Sequence, residues 1–296
     1  MLNFLHTFQP SPILISIGPI NIYWYGFLIV LGVLAAIGVA VYLAKFHKIK
    51  ADVIVDLAVW LIIGGLIGAR VYDVFLESPY FLTNPLDIFK IWQGGLAIHG
   101  GILGGILALW IFTKRHSAAG NFWQLAAIIA AVLPLAQAIG RWGNYFNQEL
   151  FGYPTNLPWG IPIDIVHRPW QYLNNSYFHP AFLYESLGNL AIFAILFFLQ
   201  IWLIKKQKFS AFSYALCVMG YAILYSVLRF TTEFIRIDST PAILGLRFPQ
   251  LISLIVIFLS LGYLAYFIWL KIRKTLPLNN KMACANIIKS HADKTN

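Results

Sequence analysis

Between residues 140 and 152 the chain reads Gly-Arg-Trp-Gly-Asn-Tyr-Phe-Asn-Gln-Glu-Leu-Phe-Gly. Arg141, Asn144, Asn147, Gln148 and Glu149 crowd between Gly140, Gly143 and Gly152, directly after a long apolar segment. Near hydrocarbon each unpaired polar group is costly, so ionisable residues there are candidates for function. A second set lies far away in the chain. Tyr221, Tyr225, Arg229 and Glu233 follow one another at intervals of four and share one face of a helix. Arginine is always charged and presents a rigid fork that matches phosphate, and two such forks near one leaflet suit a phospholipid headgroup. His99 has the residue type of a base that works near neutral pH.

Composition sets the frame that must hold these groups. The 296 residues are 59% apolar and 11% charged, with a mean hydropathy of +0.73, far outside the soluble average. They specify an all-α, polytopic integral membrane protein. The net charge of +10 does not point to nucleic acid, because the basic residues fall in short clusters between apolar runs rather than on one soluble face. Cys217 lies inside an apolar run and Cys284 in the tail, which implies neither a disulfide framework nor a cysteine-based metal site. The N-terminal residues lack the basic start of a cleaved signal peptide, so the first apolar run is expected to stay as an anchor.

A hydrocarbon core of roughly 30 Å needs about 20 apolar residues per helix. Seven runs answer to this: residues 21–44, 53–75, 95–113, 122–139, 180–204, 211–235 and 248–270. Lys45, Lys48 and Lys50 follow the first, Lys114 and Arg115 the third, Lys205, Lys206 and Lys208 the fifth, and Lys271, Arg273 and Lys274 the seventh. The alternate connectors hold only Lys90, then Arg141 and Arg168, then Arg236 and Arg247. Basic residues concentrate on the cytoplasmic side, so seven transmembrane helices are predicted with the N-terminus outside and the C-terminus in the cytoplasm. Residues 1–274 are expected to form one membrane domain with a long outer loop at about 140–179, and residues 275–296 a polar, disordered cytoplasmic tail.

This topology brings Tyr25, Arg70, His99, Tyr184, Glu185 and Arg229 to one depth just below the outer surface, beside residues 140–152, and leaves Asp56 near the inner end as a packing residue. Each piece has a plainer reading. Gly64, Gly65 and Gly68, like Gly100, Gly101, Gly104 and Gly105, are small-residue faces that let helices approach closely. His99 alone also fits a core histidine bonded to a backbone carbonyl, and Arg70 fits a snorkelling side chain. Arg229 and Glu233 can brace the bundle as an ion pair, which leaves Arg141, Asn144 and His99 at the same depth unexplained. A transporter would place polar residues at several depths, and a purely structural bundle gives no reason for two arginines at headgroup level.

The stretch at 140–152 resembles the signature of bacterial prolipoprotein diacylglyceryl transferases. Four further segments are similar to that family: Trp24-Tyr25-Gly26, His99-Gly100-Gly101, His179-Pro180 with Leu183-Tyr184-Glu185, and Arg229-Phe-Thr-Thr-Glu233-Phe. The resemblance runs to about Lys274. One departure is Phe182, where the family often has glutamine. The resemblance implies transfer of the diacylglyceryl group of phosphatidylglycerol to the lipobox cysteine thiol of a preprolipoprotein signal peptide. A thioether forms and glycerol phosphate leaves, the first step of lipoprotein maturation, in the bacterial inner membrane and with no metal or organic cofactor. A thiol titrates near 8.5, and higher when buried, so a base or a positive field is needed. His99 is the base candidate. Arg141 and Arg229 are expected to stabilise the thiolate and the departing phosphate, and theirs is the larger contribution. Tyr25 and Asn144 would orient the headgroup, Glu149 and Glu233 would hold the arginines or bind glycerol hydroxyls, and Tyr225 and Gly152 complete the substrate-binding set. With no cysteine or evident serine nucleophile at the outer depth, a single displacement by thiolate is expected.

Overall fold

A computed structural model of the chain describes residues 2–116, 120–208, 210–238 and 240–275. Among these, the long helices are α2 (Trp24–Phe46), α3 (Ala51–Leu76), α5 (Ile98–Arg115), α6 (Phe122–Phe146), α7 (Ala181–Lys205), α8 (Ala211–Thr232) and α9 (Phe248–Thr275). Short elements cluster at one end of the bundle: α1 (Leu2–Thr7), α4 (Ser78–Thr83), and three two-stranded antiparallel hairpins. The hairpins pair β1 (Ile13–Ile17) with β2 (Ile20–Tyr23), β3 (Ile161–Pro162) with β4 (Tyr177–Phe178), and β5 (Ala242–Ile243) with β6 (Leu246–Arg247).

Three expectations are corrected. First, the run predicted at 21–44 begins as β-structure: Gly18 at φ +59° turns the chain before Pro19, so Ile20–Tyr23 folds back on Ile13–Ile17 and the helix starts only at Trp24. Second, the run predicted from residue 95 cannot begin there, since Gly94 and Gly95 adopt φ of +92° and +71°, and α5 starts at Ile98. Third, the run predicted at 122–139 continues to Phe146, so Arg141 and Asn144 lie on the last turns of α6 rather than in a loop. Nothing in Gly140-Arg-Trp-Gly-Asn breaks a helix outright, and the aromatic residues around it bury its far side. Of the polar stretch 275–296, expected as a tail, Thr275 closes α9 and residues 276–296 lie outside the described residues.

Six helices, namely α2, α3, α6, α7, α8 and α9, are long and apolar enough to cross a membrane. The seven runs thus become six by this standard, because α5 has 18 residues, opens on His99, Gly100 and Gly101, and closes on Lys114 and Arg115. The chain is a polytopic membrane protein of predominantly helical structure.

α6 is the axis. Half of its most apolar stretch is buried in protein, against 11–28% for the other five candidate spans, and it packs on α2, α7 and α8. Gly32 of α2 lets the Ala136 carbonyl of α6 approach so closely that a methyl group at Gly32 would lie 3.0 Å from it. The closest small-residue seam joins α3 to α5. Side chains at Gly68, Gly100 or Gly104 would collide with the opposing backbone at Gly100, Gly68 or Gly64.

Two apolar cores result. One, around Leu43, Leu57, Phe112, Leu125, Ile128 and Leu196, fills the bundle. The other, around Tyr145, Phe151, Ile161, Ile163, Phe178 and Phe182, caps the end where α6 stops and α7 starts. Phe182 lies against Tyr145 at 4.7 Å and Trp142 at 5.2 Å, so this departure from the family pattern contributes aromatic packing. The cap holds the last turn of α6, and Arg141 with it, in register with α7.

Candidate active site

Glu185 sits one turn into α7, behind Pro180, and its side chain is only 4% exposed. Such a carboxylate must be paired, and the fold supplies partners from three segments. Arg141 of α6 places Nε 2.7 Å from one carboxylate oxygen of Glu185, whereas Arg229 of α8 and Arg236 place Nη1 3.7 and 3.0 Å from the other. The two arginines singled out from the sequence therefore meet on one acid.

The network continues through Glu233, whose side chain is fully buried. Arg229 Nη1 lies 2.8 Å from one of its oxygens and Arg247 Nε 3.1 Å from the other. Arg247 is spent locally, since it donates to Thr240 and to the carbonyls of Glu233, Arg236 and Asp238. Arg236 donates to Asp238 at 2.9 Å. Burial opposes the charge on Arg236, but Asp238 and then Glu185 outweigh it and raise the guanidinium pKa. Asp238 also pays for burial, yet the Arg236 hydrogen bond and charge hold its carboxyl below the usual range.

Arg141 and Arg229 differ from these supports. Neither Arg141 Nε nor Arg229 Nη1 makes a directed hydrogen bond, although each lies within ion-pair distance of a carboxylate. Arg141 Nη2 and the Nε and Nη2 of Arg229 have no partner among the described residues. The forks are therefore fixed by charge and retain open N–H groups, the state expected of guanidiniums that receive an anionic ligand.

Around Arg141 the signature residues close in. Arg141 reaches Asn144 Oδ1 at 3.4 Å, and Asn144 Nδ2 donates to Glu149 at 2.7 Å. Glu149 stands between Gln148 and Leu150, two non-glycine residues at φ +51° and +55°. Backbone of that kind persists only where its surroundings enforce it. Here Gln148, buried, bonds Pro10 and Asp164 and locks the turn. Tyr25 lies over Gly143, where a methyl group would stand 2.6 Å from its ring, and both Glu149 and Arg141 act electrostatically on its hydroxyl. A polar recess of about 590 Å³, lined by Gln9, Ser11, Asn147, Glu149, Asp164 and His167, opens beside Glu149.

The remaining candidates lie otherwise. Tyr225 stacks on Tyr221, one turn before Arg229. His99 has its ring 6.0 Å from Tyr72 and 6.5 Å from Phe248, and no hydrogen bond or ion pair joins it to the Glu185 network among the described residues. Among the described residues it borders the network through Phe248, the neighbour of Arg247. Gly152 is a backbone crossing: it donates to the His179 carbonyl at 2.9 Å, and a methyl group there would meet His179 and Ile235 at 2.7 Å. Arg70 stands apart, donating to the carbonyls of Ile88, Gly94, Gly95 and Asp87.

The sequence groups Glu185 with these residues but gives it no role, and Arg236 and Arg247 count there only as connector charges. One signal was available. Arg236 follows Glu233 by three, the spacing of an ion pair along one helix face.

Comparison with known proteins agrees with the site. The family model described as prolipoprotein diacylglyceryl transferase matches residues 12–266. The chain is 46% identical over 277 residues to the phosphatidylglycerol–prolipoprotein diacylglyceryl transferase of Nostoc sp., covering 92% of this chain and 93% of that protein. It is 46% identical to the protein of the same name from Trichormus variabilis, covering 92% and 94%. The corresponding protein from Synechococcus elongatus is 44% identical over 273 residues, 91% of each. The chain belongs to the prolipoprotein diacylglyceryl transferase family.

Proposed function

We propose that this protein transfers the diacylglyceryl group of phosphatidylglycerol to the thiol of the lipobox cysteine in a preprolipoprotein signal peptide. A carbon–sulfur bond forms at the glycerol carbon that bears phosphate, the carbon–oxygen bond to phosphate breaks, and glycerol phosphate leaves. The observation that carries this reading is the meeting of Arg141 and Arg229 on Glu185 while Arg141 Nη2 and Arg229 Nε and Nη2 make no hydrogen bond among the described residues.

A phosphodiester leaves an alkyl carbon poorly unless fixed donors meet its growing charge, and two preset guanidiniums supply such donors without reorganising. Glu185 and Glu233 offset the repulsion between them and keep them from turning to solvent. Asn144 and Tyr25 orient the headgroup, with Glu149 setting Asn144 and able to accept from the glycerol hydroxyls. Tyr225 lines the floor below Arg229, and Gly152 keeps the wall behind Glu185 thin. The same positive field lowers the cost of a thiolate, and His99, at the edge of the network, takes the thiol proton. The chemistry is a single displacement and uses no metal or organic cofactor.

The finer topology follows from the basic connectors. α5, seated in its glycine seam on α3, completes seven spans, with the N-terminus outside, the C-terminus in the cytoplasm, and the Arg141–Glu185–Arg229 cluster facing the outer leaflet of the bacterial inner membrane. Residues 1–274 act as one catalytic domain. An apolar groove of about 240 Å³ between α2, α3 and α6, lined by residues such as Val33, Ile37, Leu61 and Val132, can take part of an acyl chain.

The test is purified protein with phosphatidylglycerol vesicles and a lipobox peptide. The expected result is a peptide heavier by one diacylglyceryl group, with glycerol phosphate released in equal amount. Absence of the thioether, or lipid trapped covalently on the protein during turnover, would overturn the reading.

A further inference from the structure

One turn deeper in the bundle than Arg141, Gln137 of α6 donates through Nε2 to the hydroxyl of Tyr221 of α8 at 2.9 Å. A hydroxyl that accepts in this way still has its own hydrogen to give, and it makes no hydrogen bond as donor among the described residues. The other amide atom, Gln137 Oε1, is shut off from solvent and accepts nothing. Turning the amide over changes the atoms but not the outcome. Tyr221 would then donate to Oε1, and amide hydrogens would be left over. In both arrangements the pair keeps a hydrogen-bond donor unspent, in surroundings built from the main apolar core.

An unspent donor at such a place is costly unless something accepts from it. What answers it is a hydrogen-bond acceptor oxygen. Tyr221 is steadied from the other side by its stack on Tyr225, centroids 5.7 Å apart. Gln137 precedes Arg141 by four residues, about 6 Å along the helix axis, and Tyr221 precedes Arg229 by eight, about 12 Å, with its hydroxyl held at the level of Gln137 by their hydrogen bond. The pair thus forms a polar shelf just beneath the arginines, on the hydrocarbon side.

A lipid whose phosphate rests on Arg141 and Arg229 hangs its glycerol carbons toward that shelf. The first strong acceptors it presents there are the carbonyl oxygens of its ester links. We propose that the Gln137–Tyr221 pair recognises an ester carbonyl of the donor lipid and makes the enzyme prefer ester-linked over ether-linked donors. Tyr221 makes the contact and Gln137 positions it. This rests on the reading of the arginines as the phosphate site. An ether oxygen is a poor acceptor, so a dialkyl donor of the same headgroup and chain length leaves the shelf unanswered.

The experiment compares dioleoyl phosphatidylglycerol with its dialkyl ether counterpart, using purified full-length protein, a lipobox peptide and thioether product as readout. Wild type is expected to favour the ester donor roughly tenfold in kcat/KM, with the difference seated in KM, as for the loss of one good hydrogen bond. Tyr221→Phe is expected to bring the ratio of the two donors close to one. Gln137→Met, which leaves Tyr221 present but unheld, is expected to lower the ratio part of the way and carries the same readout should Tyr221→Phe fold poorly. Equal use of both donors by wild type, or a preference that survives in both variants while all rates fall in parallel, would overturn the inference and leave the proposed function standing. Failure of wild type to make product from either lipid would instead overturn the function, and this inference with it.

Discussion

Two arginine centres lie at the same end of the bundle, and they are built to opposite ends. At Arg70 every nitrogen is occupied: Nε donates to Ile88, Nη1 to Gly94 and Gly95, and Nη2 to Asp87, with Asp73 3.5 Å from Nη1. Its guanidinium also lies 4.9 Å over the Phe81 ring. Its partners are mostly neutral backbone carbonyls of the segment after α3, which would otherwise be left without donors. At Arg141 and Arg229 the partners are carboxylates, each acid is shared among several cations, and N–H groups remain open. A guanidinium whose hydrogens are all taken by carbonyls ties chain together. One pinned by an oversubscribed acid keeps its charge and its donors for something else. The residue type is the same, and what accepts its hydrogens decides its work.

The largest effect should come from the acid at the centre. Glu185→Gln leaves three guanidiniums around a neutral amide and is expected to cost about 3–5 kcal/mol, the usual penalty for breaking a buried charge network from one side. A thermal unfolding midpoint equal to wild type in the same detergent would break the contrast, because Glu185 would then not be holding the cluster. Arg70→Ala should come next, at about 3 kcal/mol for a charged donor set removed from several carbonyls. Its mark is local: limited proteolysis should cut between residues 77 and 97, and cleavage elsewhere first would count against the clamp. Gly95→Ala sharpens the same point, because φ is +71° there and a methyl group would press on Asp73 and Arg70. It should cost about 1–2 kcal/mol, read in the same unfolding experiment, and an unchanged midpoint would show that the loop can yield.

The smallest effect expected is on pH dependence. His179, just before α7, has its imidazole pKa pushed down by burial. The unfolded chain therefore binds that proton more readily than the folded one, and its contribution to stability is present above about pH 6.5 and fades as the pH falls below it. His179→Asn should flatten the decline in unfolding midpoint between about pH 7 and 5. The same slope in both proteins would assign the decline to other groups.

Much of this was legible in the chain. Apolar runs at 180–204, 211–235 and 248–270 appear as α7, α8 and α9 with shifts of a few residues at most, because length and hydropathy carry that information directly. The glycines of α3 and α5 are legible as close-packing faces, but that the two faces meet each other is shown only by the structure. The polar stretch at 140–152 was misplaced as a loop because polarity was taken for exposure. In fact α6 runs on through it, and the cap around Tyr145, Phe178 and Phe182 shields it. The N-terminal hairpin was missed although Gly18-Pro19 announces a turn, since apolar residues near the start of α2 were read as part of one long span. The pairing of Arg141 with Glu185 joins residues on separate helices. No spacing rule within one helix encodes such a contact, and only the packing of α6 on α7 reveals it.

The most direct test of the central claim sets the two centres side by side. Thioether formation from phosphatidylglycerol and a lipobox peptide should be measured for wild type, Arg141→Lys, Arg229→Lys and Arg70→Lys, each checked for its unfolding midpoint. Lysine keeps the charge but not the fork, so the account predicts a fall on the order of 100-fold in kcat/KM at residues 141 and 229, comparable to losing one oxyanion donor, and only a few-fold change at residue 70. Wild-type turnover in folded Arg141→Lys or Arg229→Lys would contradict it.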